Sequence, residues 1–566
     1  MTGWGKAGID PTYPFDLGHW TRRITTASPD AQSWFDRGLN WLFAYNHEEA
    51  VACFRRALDA DPACAMAWWG IAYASGPFYN RAWIRFSDDE IAATLPVCHE
   101  AARQAAALAG SATPAEAGLI GAIAHRYRSP TERDRAVLNH WHRDFADTMR
   151  QVQADHPHDL DIAALFAEAA VTCTPRMLFD LRTGLPNPQS LTVEALDVLE
   201  AALARCAGDG IRHPGILHMH IHALEMSAEP ERALASADTL RGMAPDAGHL
   251  EHMPAHIYVL CGGYSEAVEQ SRRAVAADDR YLAFGDDTNF YTTARCHDLH
   301  LYIYAAMLLG QYRTALHAAD RIREIAHRDL LAASAPFMRS ILDGYSGMRS
   351  HVQVRFGKWR DLTLEPAPSD ADLAPIHAAM HHYAKGVAHA ALGELPAADA
   401  EADAFEAARQ AFPEEAIFLS NPVRDTLDVG SAMLVGEIAY RRGAFEEAFA
   451  ALRLAVERHD ALNYTEPWAW MHPPRHALGA LLAEQGRLDE AEAVYRADLG
   501  FDPSVPRPCR HPDNVWALHG LLECVERRGA EAEAGMLRQR LTLAQARTDF
   551  PVTAACCCRG KPVAAE

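Results

Sequence analysis

Two stretches of this chain hold side chains suited to metal chemistry: HPGILHMHIHALEMS, with His218 and His222, and HLEHMPAHIYVLCGGY, with His249, His252 and His256. Separations of three, four and seven residues put side chains on one stripe of a helix, and an i, i+4 histidine pair is a recurrent bidentate ligand. The pairs His218/His222 and His252/His256 repeat at an interval of 34 residues. On adjacent packed helices about 10 Å apart, two such pairs can converge on one ion or on two close ones. His297 and His300 continue the stripe on a third segment, and Glu225 adds a carboxylate three residues beyond His222. Glu251 adjoins His252, and Tyr258, Asp298 and Asp246 are candidates to fix imidazole tautomers by hydrogen bonding. Imidazole donors suit copper, iron or zinc and disfavour magnesium or calcium.

A repeat supplies the helices that such stripes require. In WFDRGLNWLFAYNHEEAVACFRRALDADP, residues 34–62, Trp34, Gly38, Ala50, Phe54, Ala57 and Pro62 have tetratricopeptide-repeat spacing. Small residues there let two antiparallel helices pack closely, and the proline ends the second. A turn followed by an alanine recurs at Ala233, Ala267, Ala315, Ala398, Ala448, Ala491 and Ala534, with glycine in every turn but the first. Fifteen residues before a marker alanine stand His218, His252, His300, His476 and His519; eleven before stand His222 and His256; eighteen before stand His249 and His297. The expected fold is all-α, a tetratricopeptide-like helical-hairpin solenoid, curved into a superhelix with a concave groove. Its expected parts are an N-terminal extension (1–20), an N-terminal repeat (21–84), an irregular helical segment (85–210), histidine-rich repeats (211–330), C-terminal repeats (331–545) and a Cys-rich tail (546–566).

Other features are weaker. His220 falls off the stripe and reads as packing, as His476 and His519 do singly. His140, His142, His156 and His158 lie in the irregular segment and read as loop or helix-end residues. The block of His218, His222, His249, His252, His256, His297 and His300 admits three readings: structural, an anion-binding protonatable groove, or a metal site, of which metal is favoured. Cys556, Cys557 and Cys558, near the C-terminus, read either as an incidental plug or as a tail that folds into the groove and offers a thiolate. No Gly-rich phosphate loop, G-x-S-x-G elbow or H-E-x-x-H motif is present, which disfavours dinucleotide and ATP enzymes.

Composition bounds the partners. The 566 residues carry a net charge of −22 without long runs of like charge, which argues against nucleic acid or an anionic membrane surface. Neither a secretory signal nor an apolar run of about 18 residues is evident, and most of the twelve cysteines are single, so a cytoplasmic location is expected.

NHEEAVACFRRALDADPACAMAWWGIAYASGPFYN, HPGILHMHIHALEMS, PDAGHLEHMPAHIYVLCGGY, NFYTTARCHDLHLYIYAAMLLGQY and HPDNVWALHGLLEC together resemble a poorly characterised family of microbial tetratricopeptide-repeat proteins. The Cys-rich, Arg-ended tail is similar to that family's C-terminal pattern, with three consecutive cysteines in place of two separated by one residue. The resemblance covers nearly the whole chain. It implies His213, His218, His222, His249, His252, His256, His297 and His300 as the family-like positions, and implies a fold and a site without a substrate.

Two functions follow as expectations. The first is a metalloenzyme whose histidine-ligated ion acts on a small organic molecule, an oxidoreductase rather than a hydrolase because no catalytic carboxylate base stands out. Tyr258, Phe290, Tyr291, Tyr302 and Tyr304 would line its pocket, with Tyr258 and the tail cysteines as speculative catalytic groups. The second is a non-catalytic scaffold that binds a peptide or protein partner. His, aromatic and apolar positions along the stripe suit an enclosed small-molecule pocket better than an adaptor groove.

Overall fold

The computed structural model describes residues 13–285 and 288–559. The first twelve residues of the expected N-terminal extension and the last seven of the expected tail lie outside the described residues. The chain is an all-α superhelix of helical hairpins: 26 α-helices among the described residues, with one two-stranded pairing of Ile417–Phe418 against Asn421–Pro422.

The first hairpin shows why this sequence forms such units. Helix Pro29–Phe43 begins with proline at its first turn, and the Ser28 side chain accepts the Ala31 N–H at 3.2 Å. Helix His47–Ala60 begins on Asn46, which accepts the Glu49 N–H at 3.2 Å. Phe54 then fills the gap between Gly38 and Gly70. A β-carbon on either glycine would stand 2.6 to 2.7 Å from the Phe54 ring, so both neighbours must lack one.

Three consecutive first helices carry the histidine stripe: Pro214–Leu224, Gly248–Leu260 and Tyr291–Leu309. Gly262 turns the chain after the second with φ +81°, and a β-carbon there would meet the Pro512 carbonyl oxygen at 2.8 Å. That close approach reflects a second property of the superhelix: its C-terminal repeats fold back onto the histidine helices. Arg507 Nη1 donates to Leu260 O at 2.8 Å, Trp516 Nε1 donates to Met307 O at 2.7 Å, and His511 Nε2 lies 2.8 Å from the Tyr304 hydroxyl.

The interior is filled by the non-helical segment between helices Phe445–Asp460 and Pro474–Glu484. Pro467 and Pro473 prevent helix there, and every residue from 464 to 476 is buried. Trp468 Nε1 donates to Pro508 O at 3.3 Å, and His472 Nε2 donates to His351 O at 2.5 Å. The tail docks elsewhere. Asp549 accepts the N–H groups of Tyr312 and Arg313 at 2.6 and 3.1 Å, Phe550 packs 5.0 Å from Phe356, and Arg559 pairs with Glu523.

Candidate metal centre

The histidines form two adjoining triads. His218, His222 and His249 bring ligand atoms within 4.8 Å of one another, and His252, His256 and His297 do the same. The four side chains at the 34-residue interval are thus divided two and two. His249, one turn before His252, completes the first triad, and His297 on the third helix completes the second. Five of the six are buried and His297 is partly buried.

One carboxylate orients both triads. Glu225 Oε1 accepts His222 Nδ1–H at 2.7 Å, and Oε2 accepts His256 Nδ1–H at 2.5 Å. His218 Nδ1 donates to the Phe43 carbonyl at 2.7 Å. Each of these bonds fixes a tautomer and leaves Nε2 as a lone pair directed inward. In the first triad the Nε2 atoms of His218 and His222 and both nitrogens of His249 are buried without a hydrogen-bond partner. In the second, His252 Nε2 donates to His256 Nε2 at 2.7 Å, and His297 Nε2 lies 3.4 Å from His256 Nε2. Two nitrogens bound tetrahedrally to one ion at about 2.0–2.1 Å stand about 3.3 Å apart, so the His256–His297 separation already suits a shared metal.

The electrostatics favour ligation over protonation. Burial, reinforced by neighbouring imidazoles, holds His218, His249, His252 and His297 well below the ordinary imidazole range, and burial brings His222 to about 4 against the pull of Glu225. Burial would raise the Glu225 carboxyl, yet His256 and His222 bring it down to about 2, so it is an anion. Neutral imidazoles beside a fixed carboxylate are in the protonation state that a transition metal requires.

The walls come from residues outside the histidine stripe. Tyr45 lies 4.5 Å from the His218 ring and stacks at 5.3 Å on His249; Tyr79 lies 4.9 Å from His222. The interior loop delivers Glu466, fully buried, 3.9 Å from His222 Nδ1 and in contact with Arg176. His222, Glu225 and Glu466 form a third group of clustered ligand atoms. Among the described residues five non-glycines have positive φ, and Tyr45, Arg176 and Glu466 are three of them. Such conformations cost about 1–3 kcal/mol each and concentrate where function fixes the backbone. None of these three bears a repeat marker. The available signal was NYTEPWAWMHPPRH, an aromatic and proline-rich stretch that breaks the repeat register.

The remaining candidates are placed apart from the triads. His300 packs 4.9 Å from Tyr345, and burial and His351 hold it at about 3. His213 caps the first histidine helix, accepting Ile216 N–H at 3.1 Å and facing Asp161. His220 bonds Ser236 at 2.9 Å, as its off-stripe position suggested. Tyr258 donates to Asp238 at 2.5 Å, Tyr291 to Asp278 at 2.9 Å, and Tyr304 meets His511. Glu251 faces Gln270, and Asp246 pairs with Arg280. Of the proposed tautomer-fixing groups only Asp298 approaches the site, 3.5 Å from His252 Nδ1. Cys556 and Cys558 are joined by a disulfide and Cys557 packs on Gly357, so the tail cysteines belong to neither triad. His476 pairs with Asp498, and His519 is partly buried beside Glu523 and Arg559.

Helical hairpins stacked into a superhelix around a polar interior define the class: a tetratricopeptide-type solenoid. The family model for the tetratricopeptide repeat matches residues 31–64. Among solved structures, the chain is similar to the APC/C hetero-tetramer Cut9–Hcn1, at 14% identity over 79% of this chain and 81% of that one, with a TM-score of 0.26. It is also similar to the human IFIT1 dimer with m7Gppp-AAAA, at 12% identity over 92% of both chains, with a TM-score of 0.31. No curated protein matches the chain. Among the described residues, no helix is long and apolar enough to cross a membrane.

Proposed function

We propose that the protein is a metalloenzyme that holds two transition-metal ions, one in each histidine triad, and carries out redox chemistry on a small organic substrate. The observation that carries this reading is Glu225: one buried carboxylate takes the Nδ1–H of a histidine from each triad and aims both Nε2 lone pairs inward. In the first triad lone pairs converge without a donor, which is costly in a dry interior, and a cation offsets that cost. All-imidazole donor sets suit copper first, then iron or zinc, and a bound copper or iron pair would supply electron transfer or oxygen activation.

The chain's own residues set the rest. Tyr45 packs the imidazoles in place, and Glu225 holds two tautomers. Arg176 contacts Glu466, the carboxylate beside the first triad, which ties up that group as a base and weighs against hydrolysis. The Tyr464 hydroxyl, buried and without a hydrogen-bond partner, offers a polar handle to a substrate. The interior loop fills the superhelix, which weighs against a peptide lying along an open groove.

The test is metal content after unfolding and refolding with copper(II), iron(II), zinc or cobalt(II). Two equivalents per chain are expected. A His218→Ala, His249→Ala variant and a His252→Ala, His297→Ala variant should each lose one. Electron paramagnetic resonance and oxygen uptake then separate redox chemistry from hydrolysis. No metal in the refolded parent overturns the reading and returns the solenoid to the scaffold class.

A further inference from the structure

Two converging rows of side chains run from the surface to the first triad. One is aromatic: Phe337 stacks on Phe290 at 6.3 Å, Phe290 lies 6.4 Å from Phe78, Phe78 lies 4.9 Å from Tyr45, and Tyr45 stacks on His249. Exposure falls along it, from partly buried Phe337 and Phe290 to fully buried Tyr45 and His249. The other row is cationic. Arg85 lies over the Phe337 ring at 4.9 Å, and Arg176 lies over Tyr79 at 5.0 Å, which in turn packs on His222.

The two guanidiniums are unlike each other in their partners. Arg176 contacts Glu466 and donates to Asn80 Oδ1 at 2.8 Å. Nearby Glu90 is taken by Arg81, and Glu48 accepts the Phe290 N–H at 3.2 Å. Among the described residues Arg85 has neither an ion pair nor a side-chain hydrogen bond. Burial, with the Arg176 charge beside it, lowers it to about 10. A partly buried guanidinium with no anion on it among the described residues, set over a ring at the outer end of an aromatic row, is a site for a ligand carrying both features.

We propose that Phe337, Phe290, Phe78 and Arg85 form the substrate entrance, and that the substrate is a small aromatic carboxylate, its ring passing along the phenylalanines and its carboxylate held by Arg85. This deepens the metal-site reading, from which it takes the destination of the path. Arg85 is a positioning and selectivity residue in this scheme, and it touches neither triad.

Calorimetric titration of the full chain with benzoate and with its neutral isostere benzamide tests the entrance without requiring metal. Benzoate should bind about tenfold or more tightly than benzamide, the range of one charge-assisted hydrogen bond. Arg85→Met, which keeps the stem on Phe337, should erase that preference and leave benzamide unchanged; Arg85→Lys should restore part of it. Phe290→Ala should weaken both ligands. Equal affinity for the two ligands, no benzoate binding, or an Arg85→Met variant that keeps the preference would overturn the entrance. Metal content of the same samples reports separately on the triads. In cobalt(II)-loaded protein, saturating benzoate should shift the visible spectrum, and an unmoved spectrum would refute a path that ends at the metal.

Discussion

Glu225→Gln is the most informative substitution. The carboxylate accepts one Nδ1–H from each triad, at 2.7 and 2.5 Å. A glutamine of the same shape has one acceptor oxygen and one NH2, so one of the two imidazoles must face a donor and either turn to the other tautomer or lose its bond. The lost charge-assisted hydrogen bond is worth about 1.5–3 kcal/mol. If that bond holds the lone pair in position for the ion, metal affinity falls by a comparable amount, about 10–100-fold, which is also the usual cost of removing a hydrogen-bond partner from a ligating histidine. Only one triad should suffer, because the glutamine oxygen still serves the other. The assay is a competitive titration against a chromophoric chelator, which resolves two binding steps in the parent. In the variant one step should weaken and the other hold, with the helical circular dichroism unchanged. Glu225→Ala should weaken both steps. Parent-like affinity at both steps in Glu225→Gln would refute the idea that this carboxylate organises the site.

Other predictions concern the scaffold. Asp498 accepts from His476 at 2.8 Å, His511 at 2.8 Å and Asn514 at 2.9 Å; burial opposes its charge, but the two histidines hold it well below the carboxylate range. Asp498→Asn should destabilise by about 1.5–3 kcal/mol in chemical denaturation near neutral pH, the worth of a charge-assisted hydrogen bond lost when the amide can no longer accept from all three partners. Burial raises Asp343 to about 7, so its contribution to stability is fullest below its ordinary value near 3.8 and is lost as pH rises toward 7. Asp343→Asn should flatten the stability profile across that window, by up to about 4 kcal/mol at about 1.4 kcal/mol per pH unit. Gly38→Ala would force a methyl to within 2.6 Å of Phe54, and overpacking of this kind should cost about 1–3 kcal/mol in the same assay.

The hairpins were legible because each leaves local marks: a helix-ending glycine, a small residue at the crossing, a cap. Gly38, Phe54 and Ala57 act as their spacing says they should. The stripe was legible too, since His218, His252 and their i+4 partners all face the interior. Their grouping was not. Counting along the sequence sets equivalent positions side by side, but successive helices of the superhelix are offset by about one turn, so His249 meets the first pair and His297 the second. Arg176 had no mark at all, and Glu466 only the break in register around NYTEPWAWMHPPRH, because segments between hairpins obey no repeat. The sequence left the tail open between a plug and a groove ligand for a related reason: Phe550 and Asp549 find their partners at Phe356 and Tyr312, contacts that no local pattern announces.

The order of the parts along the chain has a consequence for biosynthesis. All six triad histidines, Glu225 and the Tyr45 support lie within the first 297 residues, whereas Glu466 and the residues that fold back over the histidine helices, 507 to 516, come later. His297 precedes Glu466 by 169 residues, which at roughly 5–20 residues per second is about 10–30 s of translation. During that interval the nascent superhelix presents both triads before their cover exists, and an ion can dock without prying packed repeats apart. Under the proposed metal-site reading, the metal a cell offers during synthesis, rather than the one that binds most tightly afterwards, would then decide what the finished protein contains.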